Sequence, residues 1–271
     1  MAKRIPLHQI DAFADAVFKG NPAAVCPLER WLDDAEMQAI AEENNLAETA
    51  FFVPRAGGDA AAAGDREYDL RWFTPAREVD LCGHATLASA YLIYAKLAPA
   101  ARRLRFHTLS GPLDVVREGG RLVMDFPAFP PAPREASPSL RAALGRAPKE
   151  ALFGGNMDVA VLGDASEVRA LAPDLGRVAG LDGIGLIVTA PGGDCDFVSR
   201  FFAPKLGIPE DPVTGAAHCV LTPYWAQRLG KTSMRARQLS KRGGELFVEH
   251  RGERVRIGGR AATYLEGTIT L

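Results

Sequence analysis

The sequence predicts a two-domain α+β protein, with strands wrapped around one buried apolar helix in each domain. Three observations predict it. Two segments, near 83–97 and 215–229, are apolar almost all round, and a helix without a polar face is buried. Each follows the same pattern. Arg71-Trp72-Phe73-Thr74-Pro75 precedes the first and Arg200-Phe201-Phe202-Ala203-Pro204 the second, both Arg-aromatic-Phe-x-Pro. After each comes a short loop and a polar, glycine-containing helix start, DLCGHAT at 80–86 and EDPVTGA at 210–216. Short strand candidates flank both, separated by Gly, Pro and Asn.

In chain order, 5–14 and 23–28 read as strands around the turn Lys19-Gly20-Asn21-Pro22. A helix is expected over 31–44, capped by Asp33 or Asp34 and ended by Asn44-Asn45. Strands follow at 50–53 and 68–73, with a surface loop at 57–64 between them. Beyond the first buried helix come strands near 103–109, 112–118 and 121–126. The stretch PAFPPAPREASPSL (127–140) contains five prolines and reads as an interdomain linker. The second half is expected to hold helices at 138–145, 148–153 and 166–178, with strands at 158–162, 184–190 and 195–202. Pro223 predicts a kink or a broken first half in the second buried helix, and Gly230 ends it. Strands at 234–240, 245–250, 253–258 and 263–271 close the chain.

Composition excludes several classes. The 271 residues carry a net charge of −1, with 47% apolar and 24% charged residues. There is no basic stripe for nucleic acid, no polybasic membrane surface, and no long apolar run or signal peptide. Cys26, Cys82, Cys195 and Cys219 are scattered without a CxxC pair. That argues for cytoplasmic thiols and against a zinc site built from them.

Both helix starts are seats for an anion, because the first backbone N–H groups lack helical partners. A small molecule bearing a carboxylate, bound between domains, is the expected ligand. Asp211 stands before the second start, where it acts either as a cap or as a substrate partner. Glu48, in NNLAETAFFV, is either a solvated strand-end acid or a partly desolvated acid/base with a raised pKa. His84 either contacts a bound carboxylate or bonds only backbone. Cys82 is a candidate thiol base. Cys219 and His218 read as packing residues. The glycine run at 180–185 lacks nucleotide-loop spacing and reads as a loop entering a strand.

The blocks DAF…GNPAAV (11–25), NNLAETAFF (44–52), RWFTP…LCGHAT (71–86) and EDPVTGAAH (210–218) resemble the PhzF family of phenazine-biosynthesis-like isomerases, nearly end to end. The resemblance implies an α+β, diaminopimelate-epimerase-like fold. Two pseudo-symmetric lobes, each a curled, mostly antiparallel sheet or barrel around a central helix, would enclose the site. It implies lobes at 1–127 plus about 263–271 and at 128–262, and a homodimer. It implies Glu48 as the acid/base, His84 and Asp211 as further catalytic residues, and Gly83, Thr214, Gly215 and Ala216 as substrate-binding positions, with no cofactor or metal. Related epimerases use two opposed cysteines. Cys82 matches one of them, and the region of Asp211-Pro212 holds no thiol. An amino-acid racemase or epimerase using Cys82, or a non-catalytic binder of the same fold, are the alternatives.

Overall fold

The computed structural model describes residues 3–55 and 64–271. The surface loop expected at 57–64 lies, apart from Gly64, outside the described residues. Contacts divide the chain into two units, Met1–Asp125 with Gly258–Leu271, and Phe126–Ile257. Among the described residues no helix is long and apolar enough to cross a membrane.

The first unit contains β1 (Arg4–Ala12), β2 (Asn21–Pro27), α1 (Asp34–Asn44), β3 (Glu48–Pro54), β4 (Asp65–Phe73), β5 (Glu78–Val79), α2 (Gly83–Leu92), β6 (Arg103–Thr108), β7 (Gly111–Glu118) and β8 (Arg121–Pro127). A π-helical turn over Ile93–Leu97 extends α2. Eight α2 residues are buried, from His84 to Leu92, and α2 packs on β1, β2 and β3. Each fully buried Leu contributes about 1.5–3 kcal/mol through the water it no longer touches. α1 lies elsewhere on these strands, placing Met37, Ile40 and Ala41 against Phe51 and Phe73.

The second unit runs through β9 (Ala132–Arg134), α3 (Pro138–Leu144), β10 (Glu150–Gly154), β11 (Met157–Val161), α4 (Ala165–Ala170), α5 (Leu175–Val178), β12 (Leu186–Pro191), β13 (Phe197–Ala203), β14 (Ile208–Asp211), α6 (Gly215–Leu229), β15 (Ser233–Gln238), β16 (Gly244–Arg251) and β17 (Arg254–Gly259). Helices α3, α4 and α5 bury Leu140, Val168 and Val178 with Val198 and Phe202. The last strand, β18 (Ala261–Thr270), pairs antiparallel with β1 in the first unit.

Three expectations change. The proline-rich stretch at 127–140 is structured: β9 pairs with β10, and Ser137 caps α3 by accepting from the Leu140 N–H. The segment 148–153 is a strand, not a helix. Gly155 and Asn156 both have positive φ and join β10 to β11 as a two-residue hairpin, the connection such residues favour. α6 runs unbroken through Pro223. Proline cannot donate to the carbonyl four residues back, and the Phe129 N–H donates to that Cys219 carbonyl instead, at 3.0 Å.

The two units repeat one pairing scheme. In the first, β1–β2 is antiparallel, β2–β3 parallel, β3–β4 and β4–β5 antiparallel, β4–β6 parallel and β6–β7 antiparallel. In the second, β10–β11, β11–β12, β12–β13, β13–β14, β13–β15 and β15–β16 follow with the same senses in the same order. The repeated Arg-aromatic-Phe-x-Pro pattern has a physical reason within this scheme. Arg71 makes a two-pronged bond to Glu78, at 2.7 Å on both prongs. Arg200 does the same to Glu210, at 2.6 and 3.0 Å. Each guanidinium also lies over the Phe two residues on, Phe73 or Phe202. Each clamp fixes the short strand that leads into the buried helix. A second tie repeats as well. Ser110 Oγ donates to the Asp80 carbonyl and Ser240 Oγ to the Pro212 carbonyl, both at 2.8 Å, two residues before α2 and α6 are capped.

Candidate active site

In the first unit, local backbone chemistry brings Glu48 to His84. α1 ends at Asn45, which adopts the left-handed conformation (φ 49°) and donates its N–H to the Ala41 and Glu42 carbonyls. Asparagine tolerates that conformation better than most residues. The chain then turns directly into β3, whose first residue is Glu48, opposite Ala23 of β2. The preceding turn depends on Gly20, at φ +64°, where any Cβ would strike the Ala12 carbonyl oxygen. Asn21 follows, fully buried.

His84 is the second residue of α2 and only 7% exposed. Its Nε2 lies 3.1 Å from Glu48 Oε2. Its Nδ1 faces Cys82 Sγ at 3.4 Å and the Asn21 carboxamide at 3.3 Å. Cys82 Sγ also lies within 4.8 Å of a Glu48 carboxylate oxygen. Glu48, Cys82 and His84 thus form a triangle in which Cys82 and His84 are buried and Glu48 is partly buried.

The charges follow from this contact. Burial pushes Glu48 up, but the charge of His84 and hydrogen bonds from His84 and Cys82 outweigh it, so its carboxyl sits below its usual range. This reverses the raised pKa expected from desolvation alone. Burial pulls His84 down, yet the charges of Cys82 and Glu48 lift it well above the usual histidine value. Burial, reinforced by the Glu48 charge, holds the proton on Cys82. Glu48 is therefore the anion of the triangle, paired with an imidazolium, and Cys82 is a thiol.

In the second unit, Asp211 ends β14 and does not cap α6; Thr214 occupies the cap position. The reason is Pro212-Val213, which separates Asp211 from the first helical turn. Thr214 Oγ1 donates instead to Asp211 Oδ2. Gln238 holds the pair: its Oε1 accepts the Thr214 N–H at 2.9 Å, and its Nε2 donates to Thr214 Oγ1 at 3.1 Å and to the Asp211 carbonyl at 2.7 Å. No motif marks Gln238, because it acts from a strand 24 residues downstream. Asn21 lies within the GNPAAV block, but only its contact with His84 gives it a role.

In the pairing scheme and its two ties, Cys82 and Thr214 correspond, as the capping positions of α2 and α6. Neither side chain caps its helix. The first-turn amides of Gly83, Gly215 and Ala216 therefore keep the character of an anion seat. A Cβ at Gly215 would meet nothing within 4 Å. Trp72 and Phe202, large residues near these motifs, are core residues at 1% and 2% exposure.

The sequence pattern of the family described as phenazine biosynthesis-like protein, PhzC-PhzF, matches residues 10–267. This chain belongs to the PhzF family. It is 54% identical over 267 residues to an uncharacterized isomerase of Pseudomonas aeruginosa, covering 98% of this chain and 99% of the relative. A crystal structure of a PhzF-family protein from Enterococcus faecalis superposes with a TM-score of 0.94 at 47% identity, covering 99% of this chain and all of that one. A hydroxyproline epimerase from Agrobacterium vitis, at 12% identity and a TM-score of 0.62 over 99% of this chain and 93% of that one, shares the fold. For the PhzF-family chain, the mixed α+β architecture stands on these likenesses, and its relatives place it among isomerases.

Proposed function

We propose that this PhzF-family isomerase moves a proton on a small, carboxylate-bearing substrate by general acid/base catalysis, with Glu48 as the base. The observation that carries the reading is the partly buried Glu48 carboxylate, held ionised by His84 at 3.1 Å beside the open start of α2. A base must be proton-free before it acts, and a placed one contributes roughly 10²–10⁴ in rate.

In this mechanism the substrate binds at the helix starts that a diaminopimelate-epimerase-like fold offers. Its carboxylate takes the amides of Gly83, Gly215 and Ala216. Glu48 removes a proton from an acidified carbon and returns it to another. The delocalised anion between these steps is stabilised by the helix starts, where each fixed donor is worth roughly 10²–10³. His84 supplies positive charge beside the base, and Asp211 with Thr214 orients polar substituents. The reaction needs no electron acceptor, because the proton that leaves one carbon arrives at another. A homodimer is part of the same proposal, as is action in the cytoplasm, with which four free thiols are compatible.

Two-thiol epimerase chemistry fits less well. Thr214 stands where a second thiol would answer Cys82, and Cys82 itself holds its proton. Glu48→Gln tests the assignment. It keeps a side chain of the same shape and should lower turnover by roughly 10²–10⁴ with an unchanged circular dichroism spectrum. Full activity in that variant would end Glu48's candidacy.

A further inference from the structure

The Glu48–Cys82–His84 triangle has a second chemistry that proton transfer does not use. It combines a carboxylate, a thiol and an imidazole, and their ligand atoms all lie within 4.8 Å of one another. A tetrahedral ion with bonds of about 2.0–2.3 Å sets its ligand atoms about 3.3–3.6 Å apart. Cys82 Sγ lies 3.4 Å from His84 Nδ1, close to that spacing, whereas the 3.1 Å contact of Glu48 Oε2 is to the opposite nitrogen, Nε2, so an ion on Nδ1 draws the carboxylate round to that edge of the ring. His84 Nε2 and Glu48 Oε2 are buried and have no hydrogen-bond partner beyond their mutual ion pair.

We propose that the triangle is a binding site for a soft divalent cation of the zinc or cobalt type, with Glu48, Cys82 and His84 each giving one ligand atom. The ligand set selects the ion. Thiolate and imidazole suit zinc and cobalt, whereas magnesium and calcium need several oxygen ligands that this site lacks. The protons balance simply: the Cys82 S–H and the imidazolium N–H released on binding pass to solvent, and no electrons move. One ring nitrogen of His84 takes the ion. That nitrogen is Nδ1, which faces Cys82 Sγ, so the ion replaces the Asn21 contact to it. Three protein ligands leave a fourth position open, the arrangement of an exchangeable site.

An ion there takes the lone pair with which Glu48 would accept a substrate proton, so binding and turnover exclude one another. That exclusion rests on the reading of Glu48 as the base; the binding does not. The same three residues would then let a trace thiophilic metal switch the protein off.

Cobalt(II) titration of the full chain provides the test, read by absorption and independent of any substrate. The expected result is one ion per chain, a sulfur-to-cobalt charge-transfer band, and tetrahedral d–d bands. Cys82→Ser should lose the charge-transfer band, and Glu48→Gln and His84→Gln should each weaken binding by at least roughly 10–100-fold. Cys195→Ser should leave all of it intact, and magnesium should not compete. The wild-type spectrum decides even if a triangle variant fails to fold. Absence of the sulfur band at saturating cobalt overturns the site. So does a band that survives Cys82→Ser, disappears with Cys195→Ser, or is insensitive to both Glu48→Gln and His84→Gln.

Discussion

Glu48 and His84 were legible as candidates because each stands at a boundary the sequence marks: an acid opening an apolar strand, and a histidine just inside a helix start. Their partnership was not legible, since 36 residues separate them and the Gly20 turn, the Asn45 cap and the β2–β3 register together bring them into contact. That contact decides the sign of the Glu48 shift, which burial alone would have sent upward. His218 shows the opposite case. It reads as packing and is fully buried, stacks near Phe197, and bonds the Thr214 carbonyl through Nδ1 at 2.7 Å. Burial lowers its pKa from 6.5 to about 4. Below pH 6.5 the unfolded chain therefore binds a proton that the folded chain refuses. His218 thus contributes stability that is full above pH 6.5 and is lost as pH falls toward about 4, by at most about 3 kcal/mol. Urea unfolding at a series of pH values should show this slope in the wild type and a flatter one in His218→Asn, whose amide can still donate to Thr214. Equal slopes would remove His218 as the cause.

At the scale of elements, the repeated Arg-aromatic-Phe-x-Pro pattern was visible in the sequence, but its partners were not. Glu78 lies seven residues beyond Arg71, and Glu210 lies ten beyond Arg200, so no fixed spacing announces the clamp. Both arginines are mostly buried, with side chains 23% and 12% exposed. Charge-assisted bonds in such a setting are worth about 1.5–3 kcal/mol. Arg71→Met and Arg200→Met should each lower unfolding free energy by about that much, discounted for the solvent that reaches them. Lysine should recover little, because it cannot reproduce the two-pronged geometry. Denaturant titration measures both, and a full rescue by lysine would show that charge alone matters. The sequence over 148–153 reads as a helix, but the two-residue Gly155-Asn156 turn makes Glu150–Gly154 one arm of a hairpin. The helix does not break at Pro223, because the donor that satisfies Cys219, the Phe129 N–H, comes from a segment distant in sequence.

For the whole molecule, the two-helix plan carried most of the architecture, because an apolar helix can only be buried and the same approach occurs twice. The return of the last strand was implied only by resemblance. β18 pairs with β1 along nine residue pairs, and a chain ending at Arg260 would leave β1 with an exposed edge of the kind that invites aggregation. Such a truncation should unfold at lower temperature and be cleaved faster in its first unit by protease. Unchanged cleavage would mean that β18 adds little to β1. The proton-transfer account is tested most directly by incubating the protein with small carboxylates in heavy water and following deuterium uptake at carbon by mass spectrometry. The account predicts uptake into one class of substrate with wild-type protein, none above background with Glu48→Gln, and uptake retained by Cys82→Ser. Uptake that survives Glu48→Gln and vanishes with Cys82→Ser would contradict it and move the chemistry to the thiol.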